Sequence, residues 1–308
     1  MTRARAGVAL GACSLLAACG GGSSPEDSRS KVGARAGSPL CAELRPQLTG
    51  RVQTTEATEL SGLVASRRQA GVLWAHNDSG DSARLFALAP DGRLRGELAV
   101  PRAQNVDWED IALGPGPGSR DALFVADIGD NDEERRSVSV YLVPEPDPGS
   151  GAPKTSASAQ RLTLRYPDRP HDAEALLIDP SGGELVVVTK SFGGDASVYS
   201  AGRPRTATMT KLRRVGRVPV SAGEAVTAGD VSADGGTIVL RTYDRALVWS
   251  RRRGESLSAA LRREPCAAGA DLLGEGQGET LALSPDGRSF FTVPEGLRPA
   301  LRRYAPSR

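Results

Sequence analysis

From about residue 41 onward, the pattern of apolar and polar positions is a succession of short apolar runs, each closed by turn residues. Leu60–Ala65, Val72–Ala75, Arg84–Ala89 and Leu94–Val100 follow one another, with an Asp91-Gly92 turn between the last two. Runs this short, bounded by Gly, Pro, Asn and Asp, predict β-strands in antiparallel succession. Further strands are predicted at Val138–Val143, Arg161–Tyr166, Glu184–Thr189, Ser197–Ser200, Arg213–Val218, Thr237–Arg241, Ala246–Trp249, Ser289–Val293 and Ala300–Tyr304. The Pro, Gly and Ser stretch 144–160 reads as a surface loop, and Glu255–Arg263 has a pattern compatible with helix.

The runs repeat. Asn105–Asp130 contains one complete unit: a strand that opens on Asp107-Trp108-Glu109-Asp110, a Gly/Pro turn, and a second strand, Leu123–Ala126, that ends on Asp127. The same grammar recurs at Ser61-Gly-Leu-Val, Glu174-Ala-Leu-Leu, Thr227-Ala-Gly-Asp and Glu279-Thr-Leu-Ala. Thr227 and Glu279 each stand seven residues before the Asp of an Asp-Gly turn, at Asp234 and Asp286. The spacings of 48, 65, 53 and 52 residues suit four-stranded units with loops. The expected fold is therefore all-β, a propeller of five four-stranded blades, with six blades as the alternative. The last repeat lacks a fourth strand, and Gln47–Gln53 is the segment that would supply it, closing the ring by pairing the two chain ends.

What precedes the repeats is of a different character. Arg3 and Arg5 lead a short apolar stretch, Val8–Ala18, and Leu16-Ala17-Ala18-Cys19 has the form of a lipobox. Residues 1–18 are read as a lipoprotein signal peptide, with an ordinary signal as the alternative. On this reading Cys19 is lipidated, residues 19–40 form a Gly/Ser/Pro-rich tether, and 41–308 are the propeller domain. The protein is then exported and held at the membrane by its lipid alone. In that oxidising setting Cys41 and Cys266 are expected to form a disulfide, the alternative being two buried thiols.

Charge excludes one class of partner. Residues 1–18 carry two Arg and no acid, so the remaining chain holds equal numbers of basic and acidic residues, 37 of each. With no basic run and 4% aromatics there is no footprint for nucleic acid. A monomer is expected.

The candidate chemistry follows from blade geometry. Every innermost strand starts on the same face, so the first residues of the repeats, Ser61, Glu109, Glu174, Thr227 and Glu279, should ring one end of the central channel. Three converging carboxylates repel unless a cation neutralises them, and all-oxygen donors favour Ca²⁺ over zinc. The alternative is that these groups only hydrogen-bond between blades. Second strands return to the same face with polar ends: Asn77-Asp78, Asp127, Lys190, Arg241 and Glu295. Lys190 is one of four lysines against 35 arginines. Lys190 and Arg241 would suit an anionic ligand such as a phosphoester, or else pair with acids of neighbouring blades. No nucleophile elbow, Walker loop or dinucleotide fingerprint occurs.

Glu59-Leu60-Ser61-Gly62-Leu63, the segment Leu73–Gly80, and Asp107-Trp108-Glu109 with Ala112 resemble the calcium-activated nucleotidase (apyrase) family. The resemblance implies a five-bladed propeller with one central Ca²⁺ held by one residue per blade, here Ser61, Glu109, Glu174, Thr227 and Glu279. Thr227 stands where that family usually has Ser. The chain is equally similar to exported bacterial propeller lipoproteins. Together these readings lead to an expected calcium-binding surface propeller for an anionic small molecule, with phosphoester hydrolysis using Asp78 or Asp127 as proton acceptor and Lys190 and Arg241 as phosphate holders. The competing expectation is a non-catalytic scaffold or sensor that binds a protein or glycan.

Overall fold

Short apolar strands have to bury both faces, and a ring of sheets packed face to face does this. The computed structural model describes residues 37–117, 120–148, 154–266, 270 and 272–307. The signal peptide, Cys19 and most of the tether lie outside the described residues.

Five sheets form five blades. Blade one comprises β2 (Leu60–Ala65), β3 (Leu73–Asn77), β4 (Arg84–Leu88) and β5 (Leu94–Ala99). Blade two has β6 (Trp108–Pro115), β7 (Asp121–Asp127), β8 (Val138–Pro144) and β10 (Gln160–Arg165). β11 (Ala173–Ile178), β12 (Leu185–Thr189), β13 (Ala196–Gly202) and β15 (Arg213–Val218) make blade three. Blade four has three strands, β16 (Val226–Val231), β17 (Thr237–Thr242) and β18 (Ala246–Ser250). Its outer position is taken by the short helix α1 (Leu257–Ala260) and an antiparallel bridge from Val248 to Cys266.

Blade five closes the ring as expected. β19 (Ala282–Leu283), β20 (Phe290–Thr292) and β21 (Ala300–Pro306) come from the end of the chain, and β1 (Leu44–Arg51) adds antiparallel to β21. Two strands were not foreseen. β9 (Lys154–Thr155), in the stretch read as loop, runs parallel along β5, and β14 (Thr210–Lys211) runs parallel along β10. Each covers an outer edge that would otherwise offer unpaired backbone groups.

Alternate residues of one strand feed two different cores. Leu123 and Val125 pack with Trp74, Leu85 and Leu98 between blades one and two. Phe124 and Ala126 pack with Leu176, Val187 and Tyr199 between blades two and three. The other three junctions are filled in the same way. This is why the runs are continuously apolar rather than alternating.

Two buried aspartates fasten the inner strands across these junctions. Asp110 accepts bonds from Ile111 N at 2.8 Å, from Leu176 N of blade three at 2.8 Å and from Gly229 N of blade four at 3.2 Å. Asp230 accepts from Val231 N at 2.7 Å and from Leu283 N of blade five at 2.8 Å. The Cys41–Cys266 disulfide joins the chain just before β1 to the segment after α1, across 225 residues of sequence. Among the described residues no helix is long and apolar enough to cross a membrane.

Two stability predictions follow from this frame. Replacing both Cys41 and Cys266 with Ser should cost about 2–5 kcal/mol in denaturant unfolding, because it frees a long loop in the unfolded chain. Asp110→Ala strands buried N–H groups in blades three and four and should cost about 3 kcal/mol, whereas a loss below about 0.5 kcal/mol would mean the aspartate is not a fastener.

Candidate functional site: the channel mouth

Each ring residue occupies a special place in its strand. In the ladder between β2 and β3 the register skips from Leu60 to Gly62, leaving Ser61 as the extra residue of a bulge. The skip recurs at Glu109 in β6, at Glu174 in β11 and at Thr227 in β16. A bulged residue is turned out of the regular pleat, so four blades aim one side chain each by the same local device. Glu279 lies three residues before β19 and joins them.

A second layer comes from the residues two positions earlier and from the turns after the second strands. Asp78 N bonds to Glu59 O at 2.7 Å, Gly129 N to Asp107 O at 3.2 Å, Lys190 N to Asp172 O at 3.0 Å and Glu295 N to Gln277 O at 2.9 Å. These equivalent bonds bring Asp78, Lys190 and Glu295 to the mouth. In blade four the equivalent position is Tyr243, one residue past Thr242, which pairs with Val226. Arg241, expected at the mouth, pairs with Ala228 inside the ladder and has no exposed surface. Its guanidinium lies 2.9 Å from Glu275 Oε2 and donates to Thr280 O at 3.0 Å. Gly278 is fitted against it, since a Cβ there would fall 1.6 Å from Arg241 Nη2.

The carboxylates crowd together. Ligand atoms of Asp78, Asp107 and Glu109, of Asp78, Glu279 and Glu295, and of Glu109, Asp172 and Glu174 all fall within 4.8 Å of one another in each group. Lys190 is the cation that reaches into them: its ammonium bonds to Glu174 and lies 3.9 Å from Glu279 Oε1. Tyr243 OH donates to Glu279 Oε1 at 2.7 Å. Ser61 Oγ donates to the Glu109 carbonyl at 2.6 Å, and Thr227 Oγ1 to the Gly278 carbonyl at 2.9 Å, so both hydroxyls bridge to the next blade. Asp127 is buried, accepts from Asp107 N at 3.2 Å and is paired with Arg135 at 2.8 Å. Gly129 leaves room here, because a Cβ would meet Glu109 Oε1 at 2.2 Å.

Burial and mutual repulsion raise the proton affinity of these acids. Burial, then the neighbouring Asp78 and Asp172, push Asp107 up to about 6. Burial and the Glu279 charge bring Glu295 to about 7, and the same two causes bring Glu174 to about 8 despite Lys190. Glu109 is held well above the usual range by burial and by Glu174. Asp78 and Asp172 are raised, chiefly by burial. Lys190 is raised, its burial outweighed by Glu174, and it stays charged.

The ring was legible in the sequence; Asp107, Asp172 and Tyr243 were not assigned to it. A signal was present for two of them, since Asp107 and Asp172 each stand two residues before a ring glutamate, as Glu59 stands before Ser61. No protein-family model matches the chain, and no curated protein matches it significantly.

The sign of the pH effect is fixed by these directions. An acid whose proton affinity is raised on folding stabilises the fold below its unfolded value, about 4, and that contribution is lost as pH rises through the folded value. With Asp107 near 6, Glu295 near 7 and Glu174 near 8, the chelator-treated protein should lose melting temperature steadily as pH rises from about 5 to about 9. A flat profile over that window would contradict the account.

Proposed function

We propose that the protein is an exported, lipid-anchored propeller that binds Ca²⁺ in the channel mouth and holds an anionic small molecule over it. The observation that carries this reading is Glu174. One of its carboxylate oxygens takes Lys190, while the other is buried with no hydrogen-bond partner, in a group with Glu109 and Asp172. A carboxylate oxygen so placed is costly unless protonated or coordinated. One ammonium among seven carboxyls leaves most of the charge unmet, and donors made only of oxygen suit a hard divalent ion.

Glu109, Glu174 and Glu279 would hold the ion, with the lone pairs of Ser61 and Thr227 completing the set. When bound, the ion neutralises the carboxylates and offers a Lewis-acidic centre to an anion. Lys190, at the edge of the mouth, would orient that anion. Asp78 is half-buried with raised proton affinity, so in a phosphoester hydrolase it is the group that would accept a proton. Arg241 is held by Glu275 and is not assigned a ligand contact in this reading. The disulfide accords with an oxidising, exported setting.

The scaffold reading has its own support: Ser61, Thr227 and Lys190 all bond across to neighbouring strands or blades, as fasteners would. Thermal melting with chelator and with a calcium titration, then phosphate release from a phosphoester panel on the same sample, separates the two. The binding reading expects calcium to raise the melting temperature, and Glu174→Gln to remove most of that rise. Release abolished by Lys190→Ala, with melting nearly unchanged, would add hydrolysis. A melting temperature indifferent to calcium would remove the cation from both readings.

A further inference from the structure

A second polar site stands at the outer edge of blade two, where β10 ends. A cleft of about 320 Å³ is lined there by Arg135, Arg136, Arg165, Arg169 and Lys211, with Asp168 as the acid among its lining residues. Two of the cations are already matched. Arg135 donates to Asp127 at 2.8 Å and to the Gly129 carbonyl at 2.6 Å, and Arg169 donates to Glu133 and to the Pro170 carbonyl. Asp168 is matched too, accepting from Tyr199 OH at 2.9 Å and facing His171 Nε2 at 3.1 Å.

Arg136, Arg165 and Lys211 remain, exposed and without an acceptor among the described residues. The fold places two of them side by side. Arg165 and Lys211 are direct partners in the parallel pairing of β10 with β14. Like charges opposite each other on neighbouring strands repel, and no described carboxylate pairs with either. The floor beneath is firmly built: the Tyr166 ring packs edge-on against His171 and Tyr199, with ring centroids 4.9 Å apart in both cases. Pro167 and Pro170 restrict the backbone around it.

We propose that this cleft binds a small soluble ligand carrying two or more phosphate-type oxyanions, gripped by Arg136, Arg165 and Lys211. Guanidinium forks match phosphate oxygens in pairs, and a lysine adds a point charge. A bound polyanion would relieve the repulsion between β10 and β14. The concavity favours a compact ligand over a bilayer, which meets a protein along a broad face. This inference does not rest on the channel cation.

The test is calorimetric titration of the full chain with pyrophosphate in the presence of chelator. Binding is expected, weakened about tenfold by Arg165→Ala or Lys211→Ala, the loss of one charge-assisted contact. Glu174→Gln should bind as the parent does. The two cleft variants should melt no lower than the parent without ligand, since each removes one partner of a repelling pair. Absence of binding, undiminished binding by the Arg165→Ala/Lys211→Ala double variant, loss through Glu174→Gln instead, or binding only to phosphatidylglycerol vesicles would each overturn the proposal.

Discussion

The constraint on which the rest depends is the delivery of like charge to one end of a channel. Five inner strands start on the same face, and four of them open on a bulged residue that turns inward. Burial makes those carboxyls hold protons more tightly than free acids do, and one lysine cannot balance them. Any stable state of the mouth must therefore supply positive charge, as protons or as a cation. That requirement comes from the fold as a whole and not from any single side chain.

Below the mouth the inner strands are held differently. Asp110 and Asp230 accept backbone bonds from the next blades, so the inner strands are fastened to one another and not merely packed. Deeper still, Arg67 spans the channel to the carbonyls of Leu113 and Val231, each at 3.4 Å. The mouth is thus backed by inner strands that are hydrogen-bonded to one another across the blades. The disulfide and β1 close the ring at blades four and five, beside the three-stranded sheet of blade four.

Much of this was legible because blades repeat. Short apolar runs, Asp-Gly turns and a common first residue were enough to place Ser61, Glu109, Glu174, Thr227 and Glu279 on one ring, and to foresee β1 and the helical segment around Leu257. What escaped depends on pairing partners that a single strand does not reveal. Asp110 sits in an apolar run and gives no sign that its acceptors serve Leu176 and Gly229. β9 is two residues inside a Gly/Pro stretch and exists only because β5 offers it an edge. At blade four Arg241 pairs with Ala228 and Thr242 with Val226, so Tyr243 and not Arg241 reaches the mouth.

Competition between protons and a cation for the same buried carboxylates can be measured without knowing any ligand. Calcium added to the weakly buffered protein at about pH 7 should bind and expel protons, because Glu295 and Glu174 are partly protonated there. Acidification should saturate with binding and shrink in Glu174→Gln combined with Glu295→Gln, leaving the share released by Glu109 and Asp107. Calcium binding without proton release, or no binding at any pH from about 6 to about 9, would contradict it.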